Sequence, residues 1–198
     1  MKVLLIGATG LLGHNVARQL LSQGHEVATP VRRFEGLDEA AQGCQAVINC
    51  AGCTDMSLLR LEDYLPANRD GLRLICEAME THGISTLVHV STANTIGYHH
   101  ANEEAPWESP FCESLYAQSK KAGEEIVDAM AAKHPDWHIV TVHPGFMLGP
   151  FDYKPSSGQL LDAAYRRRVM LAPKGGKSFI PVKDAAVAIV NALERGTH

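Results

Sequence analysis

No stretch of this 198-residue chain is apolar over the roughly 20 residues that a membrane-crossing helix requires. The first apolar run, residues 2–6, enters a glycine turn rather than a small-residue cleavage site, so neither a span nor a secretory leader is expected and the address read from the sequence is cytoplasmic. Basic residues are not in excess, since 18 Lys and Arg against 22 Asp and Glu leave a net charge of −4. Aromatics make up only 6% and interleave with no basic stripe, so nucleic acid is not an expected partner, and Arg166-Arg167-Arg168 reads as a solvated helix face. Cysteine is scarce too. Cys50 and Cys53 form the single Cys-x-x-Cys pair, and Cys50 closes an apolar run where a small thiol packs well, so no redox pair or zinc site is expected. The ten histidines show no ligand spacing along a helix, and His99-His100 stand among Asn102, Glu103 and Glu104 in a polar loop, so no metal is expected.

What the chain does have is apolar substance, 45% of its residues, in a length that suits one domain. Strand-like runs at 2–6, 26–31, 46–50, 86–91 and 137–143 are too apolar to leave one face in water. Helix-length amphipathic segments at 12–23, 37–42, 68–81 and 115–133 alternate with them, and Gly24, Gly43 and Gly83 follow three of these where a left-handed cap is wanted. The alternation predicts an α/β fold, a doubly wound parallel sheet of the dinucleotide-binding type, over residues 1–145. From Pro144 the chain is rich in Pro and Gly, with one short helix near 159–168 and a last one, 184–193, capped by Asp184 and apolar nearly all round. Residues 146–198 read as a small, incomplete substrate lobe continuous with the first part.

Gly7-Ala8-Thr9-Gly10-Leu11-Leu12-Gly13 lies between the first strand and the first helix, where a nucleotide-binding turn must sit. Such a turn needs a tight bend, a bare backbone that admits a pyrophosphate, and helix amides facing that anion. Ordinary strand-to-helix turns are also glycine-rich, so the turn alone does not decide the matter. Far downstream, Tyr116 and Lys120 are four apart on a predicted helix and project from one face. An ammonium beside a phenol favours the phenolate, which brings a side chain with a pKa near 10 closer to use in proton transfer. The predicted strand 86–91 ends in Ser91-Thr92, placing hydroxyls at its carboxyl end.

Taken in order, the glycine turn, Asn49-Cys50-Ala51-Gly52, Ser91-Thr92, Tyr116-x-x-x-Lys120 and the stretch from His143-Pro144-Gly145 through Pro150 resemble the extended short-chain dehydrogenase/reductases over essentially the whole chain. Within these the sequence looks most like the branch of dihydroflavonol 4-reductase-like enzymes, 3β-hydroxysteroid dehydrogenases and nucleotide-sugar epimerases, in the epimerase/dehydratase superfamily. The resemblance implies that Tyr116 is the proton donor or acceptor, and that Lys120 holds the nicotinamide ribose while lowering the Tyr116 pKa. Thr92 would be the hydroxyl partner, counted back from Gly97, with Ser91 as fallback. Asn68, in an Asn-x-x-Gly at a helix start, would brace the active-site strand, although helix capping accounts for it equally well. The cofactor contacts so implied are Gly7, Thr9, Gly10, Leu11, Leu12 and Gly13, then Cys50, Ala51 and Gly52, Tyr116 and Lys120, and Pro144, Gly145, Phe146 and Met147.

Enzymes of this kind that use NAD place an acidic residue after the second strand; here stand Arg32 and Arg33, whose guanidinium groups suit a 2′-phosphate. NADP(H) is therefore favoured, with NAD(H) possible. The family also fits a further strand between Arg33 and Ala46, and only 34–45 are present, so that strand is expected to be missing. Extended members continue well past the helix at 184–193, so a chain ending at His198 is expected to have no closed substrate pocket and to leave Val187, Ile189, Val190 or Leu193 exposed or covered by another chain. The resemblance suggests a homodimer through the helices at 68–81 and 115–133. The function it implies is an oxidoreductase acting on a small-molecule carbonyl or secondary alcohol. A nucleotide-sugar epimerase with retained NAD and a non-catalytic dinucleotide-sensing module are the alternatives. A 4,6-dehydratase is set aside because Thr92-Ala93-Asn94 carries no carboxylate pair.

Overall fold

The computed structural model describes residues 1–30, 34–96, 107, 112–153, 158–167, 169 and 176–196. Five parallel strands, β1 (Lys2–Ile6), β2 (Glu26–Ala28), β3 (Ala46–Asn49), β4 (Thr86–Val90) and β5 (His138–Val142), form one sheet in the order β2-β1-β3-β4-β5. Both faces are buried, and β1 shows how. Val3 and Leu5 join the core that lies under α1 (Leu11–Ser22) and α6 (Val182–Asn191), while Leu4 and Ile6 join the one under α2 (Leu37–Ala41), α3 (Gly71–His82) and α4 (Leu115–Lys133). Alternate residues of a strand point to opposite faces, so a strand apolar throughout needs helices on both sides. Order reversal around β1 and β3 opens a crevice at their carboxyl ends, the place where ligands bind in sheets of this kind.

β2 is the sheet's edge, and among the described residues no strand forms over 34–45; that interval holds only the short α2. The Phe34 ring fills the space where Gly71 has no side chain, closing α2 onto the start of α3. The expected strand 26–31 ends at Ala28. The expected helix from Asn68 instead starts as a π-helical turn, Pro66–Asp70, that runs into α3 at Gly71. Gly24, Gly43 and Gly83 have positive φ after α1, α2 and α3, as their positions required.

After residue 144 the sequence suggested loops with one helix, yet the chain also forms β6 (Phe146–Leu148) and β7 (Phe179–Pro181), a parallel pair with Phe146 opposite Phe179. Strands of three residues give too short a pattern to be read from sequence. α5 is Gly158–Arg166. α6 begins at Val182, directly after Pro181, with Asp184 in its first turn rather than at its cap. It packs along α1, so the expectation of an uncovered apolar helix is corrected for three of the four residues named and holds for Val187. Ile189, Val190 and Leu193 are buried within the chain and only Val187, 39% exposed, meets solvent. The reason is that the face of β1, β3, β4 and β5 opposite α3 and α4 is too broad for α1 alone, and α6 covers the remainder. No helix among the described residues is long and apolar enough to cross a membrane.

Candidate active site

Two constructions meet at the crevice. The first is made of backbone. Gly7 leaves β1 with φ +84°, and a Cβ there would lie 2.6 Å from Ala51 N and 2.8 Å from Cys50 C, so β1 and β3 approach at their ends as only glycine allows. A Cβ on Gly13 would run into the Gly7 carbonyl. Gly10 differs: its Cβ would meet nothing nearer than Gly7 O at 3.5 Å, so the turn is open on that side. Gly10 also caps α1 without a side-chain hydrogen bond, and the first turn holds no acidic residue. A helix start with unclaimed amides, no carboxylate and an open glycine fits a pyrophosphate, with Thr9, Leu11 and Leu12 in the same turn. Of the other expected contacts, Cys50, Ala51 and Gly52 follow β3 across the crevice, Pro144 and Gly145 follow β5, and Phe146 and Met147 open β6. Arg32 and Arg33 lie outside the described residues.

The second construction is made of side chains on α4. Tyr116 is partly buried, with the Thr92 hydroxyl beside it. Burial pushes its phenol pKa up, and the Thr92 hydroxyl offsets this only in part. Ser91, the fallback hydroxyl, is engaged elsewhere, since it donates to Glu124 Oε1. Lys120 is 3% exposed and donates from Nζ to the Val90 carbonyl at 2.7 Å. Burial lowers its pKa to about 8, with Glu124 and Cys50 pulling the other way. The lowering of the Tyr116 phenol expected from Lys120 does not figure here: desolvation dominates, with the Thr92 hydroxyl opposing it. Cys50 is a poor nucleophile because burial pushes its thiol up to about 12.

Asn68 does not cap a helix. Its Oδ1 accepts from Cys53 N at 2.7 Å, and its Nδ2 donates to Cys53 O at 3.1 Å and Ser119 Oγ at 2.8 Å. One buried amide so ties the segment after β3 to the second turn of α4. Asn49 accepts from Ala51 N at 3.0 Å through Oδ1, which turns its Nδ2 toward Nδ1 of the buried His89 at 3.3 Å. Desolvation holds His89 well below the usual imidazole range, and it is neutral.

Glu124 was not anticipated. It is buried and receives bonds from Ser91, Thr95, Lys121 and His143. The available signal was its spacing: Tyr116, Lys120 and Glu124 fall at i, i+4 and i+8 on a helix, so an acidic residue was due on the face already assigned to the site. Trp107, whose Nε1 donates to the Asn94 carbonyl at 2.9 Å, was likewise missed. Among the described residues no group of acidic, histidine and cysteine side chains could hold a metal.

A provisionally named dihydroflavonol 4-reductase of Synechocystis sp. is 28% identical over 96% of this chain and 62% of its own length. Sterol demethylase protein B of Methylococcus capsulatus is 26% identical over 99% of this chain and 67% of its own, and a ceramide reductase of Caulobacter vibrioides is 29% identical over 95% and 59%. The chain thus spans about three fifths to two thirds of these relatives. Among solved structures, UDP-glucose 4-epimerase of Thermus thermophilus in complex with NAD superposes with TM-score 0.79 at 23% identity, covering 100% of this chain and 76% of that one. Yeast methylglyoxal/isovaleraldehyde reductase complexed with NADPH gives 0.80 at 16%, covering 98% and 75%. At such identities these two show the fold alone. The pattern of the NAD dependent epimerase/dehydratase family matches residues 3–198, so the chain belongs to that family.

Proposed function

We propose that the chain is an oxidoreductase that uses NADP(H) in preference to NAD(H) and reduces a carbonyl, or oxidises the corresponding secondary alcohol, with Tyr116 as acid and base. The observation that carries this reading is the nearness of the Thr92 hydroxyl to Tyr116 at the carboxyl end of β4, felt as a lowering of the phenol pKa, with Ser91 held on Glu124 instead. The nicotinamide, when bound, supplies or accepts the hydride. In the reducing direction the carbonyl carbon takes the hydride, the π electron pair moves onto oxygen, and Tyr116 gives that oxygen its proton while Thr92 donates to it. A phenol whose pKa is raised by burial holds its proton at neutral pH, which favours Tyr116 as the donor. Lys120 would hold the ribose, and Arg32 and Arg33 would read a 2′-phosphate.

The test is analysis of the dinucleotide carried by the purified protein, followed by NADPH oxidation with a panel of ketones and aldehydes. Exchangeable NADP(H) with turnover supports the reading. Tightly retained NAD points to the epimerase instead. Dinucleotide binding with no turnover points to a sensing module, and turnover unchanged in Tyr116→Phe removes Tyr116 as the acid and base.

A further inference from the structure

Glu124 is 5% exposed, and four donors converge on its two oxygens. The Ser91 hydroxyl donates to Oε1, the Thr95 hydroxyl is shared between Oε1 at 2.5 Å and the Thr92 carbonyl at 2.9 Å, and His143 Nε2 lies 3.1 Å from Oε1. Lys121 Nζ donates to Oε2 at 3.1 Å. An ionised carboxylate is acceptor-only with room for about four such bonds, whereas an amide of the same shape must replace one acceptor with a donor. Ser91 and Thr95 bracket Thr92, and one residue before Ser91 the Val90 carbonyl receives Lys120. The strand end is also pinned from β5, since Ser91 N donates to Val142 O at 2.8 Å and Ala93 N to Pro144 O at 3.0 Å. The links through Ser91, Thr95, Val90 and Ala93 all end on the segment that places Thr92 and Lys120, while His143 and Lys121 hold the carboxylate itself.

We propose that Glu124 is the positioning residue of this site: its carboxylate clamps the turn that carries Thr92, and the Val90 carbonyl that aims Lys120, onto the helix that carries Tyr116. The inference rests on the reading that Thr92, Tyr116 and Lys120 are the working groups. The charge has a second effect. The groups around Lys120 are Cys50 just after β3, His89 of β4, Asn68 near Gly52, and Glu124 on α4; His89 is neutral and Cys50 holds its proton, so among these Glu124 is the anion that keeps Lys120 protonated against burial.

The test uses the whole chain and two readouts, with thermal melting to establish folding: the pH dependence of NADPH affinity, followed by its fluorescence, and hydrogen exchange of the Ser91–Thr95 amides. In the parent protein affinity is expected to weaken as pH rises through about 8, where Lys120 loses its proton. Glu124→Gln is expected to move that midpoint down by about one pH unit and to speed exchange about tenfold. Ser91→Ala combined with Thr95→Val keeps the charge, and is expected to speed exchange while leaving the midpoint in place. A folded Glu124→Gln protein with unchanged midpoint and exchange overturns the proposal. Should that variant not fold, unchanged exchange in the double variant overturns it. Neither readout uses the Tyr116 hydroxyl, so full activity in Tyr116→Phe would sink the catalytic reading separately.

Discussion

The turn before α1 and the face of α4 lie at the same crevice and are built on opposite terms. At the turn the chain removes side chains: Gly7 and Gly13 bring backbone to backbone, Gly10 leaves the turn open, and the recognition groups are amides present in any sequence. At α4 the chain adds them: Lys120 reaches the Val90 carbonyl, Glu124 takes the Ser91 hydroxyl, and Tyr116 stands where the Thr92 hydroxyl influences it. A backbone site tolerates no added atom, and a side-chain site tolerates no missing one. The two should therefore fail differently under substitution.

The largest expected effect is on the α4 side. Tyr116→Phe should lower turnover by about 10²–10⁴-fold, the usual worth of a positioned acid, with cofactor affinity nearly intact. Lys120→Ala should weaken both, and steady-state kinetics with a binding titration separates them. Equal behaviour of the two variants would break the division of roles. Next comes the turn. Gly7→Ala places a Cβ at positive φ and against Ala51 N, so melting should show a loss of at least about 2 kcal/mol together with loss of dinucleotide binding. Gly10→Ala meets open space and should lower affinity about tenfold with only a small change in melting. If both glycine variants simply unfold the protein, the turn is structural and not a cradle.

Acid sharpens the comparison, because only the α4 side titrates. Glu124 has its pKa lowered from an ordinary 4.5 to about 2, the bonds from His143, Ser91, Thr95 and Lys121 outweighing burial. A carboxyl depressed on folding contributes stability that is present above its unfolded pKa and lost as pH falls through the folded one. Urea titrations should thus show stability falling between about pH 4.5 and about pH 2, and Glu124→Gln should flatten that fall. The smallest effect belongs to Arg32 and Arg33. Replacing both with alanine should reduce the ratio of NADPH to NADH affinity about tenfold, and an unchanged ratio would remove them from the 2′-phosphate.

The same contrast explains what could be read from the chain. The glycine turn was legible because its geometry is local, fixed by seven consecutive residues after a strand. The central strands were legible because β1 and β3 are apolar almost throughout and feed both cores, whereas the edge strand β2, Glu26–Ala28, is short and not buried. Tyr116 and Lys120 could be paired from helical spacing, but their surroundings could not. That Ser91 turns to Glu124 while Thr92 turns to Tyr116 depends on strand β4 passing under α4, a contact between residues about thirty apart in the chain. Asn68 shows the same limit: an asparagine before a helix reads as a cap, and only tertiary packing reveals that it bridges Cys53 and Ser119. The strands of β6 and β7 were too short to leave a pattern, and the burial of Ile189, Val190 and Leu193 depends on α1, nearly the length of the chain away.

That last contact governs the order in which the molecule can be made. α1 spans Leu11–Ser22 and α6 spans Val182–Asn191, and the end of α6 is fastened to the far strand of the sheet where His138 Nε2 meets the Ala192 carbonyl at 2.8 Å. During synthesis β1, β3 and β4 can pair, and α3 can cover one face, while the other face of the sheet still lacks its second helix. Closing a loop of that size costs entropy before any contact repays it, and a half-covered parallel sheet is prone to aggregate while it waits. Folding is therefore expected to finish in a late, slow step as α6 docks, and the chain is most in need of a chaperone in the interval after β5 is made and before residue 190 leaves the ribosome.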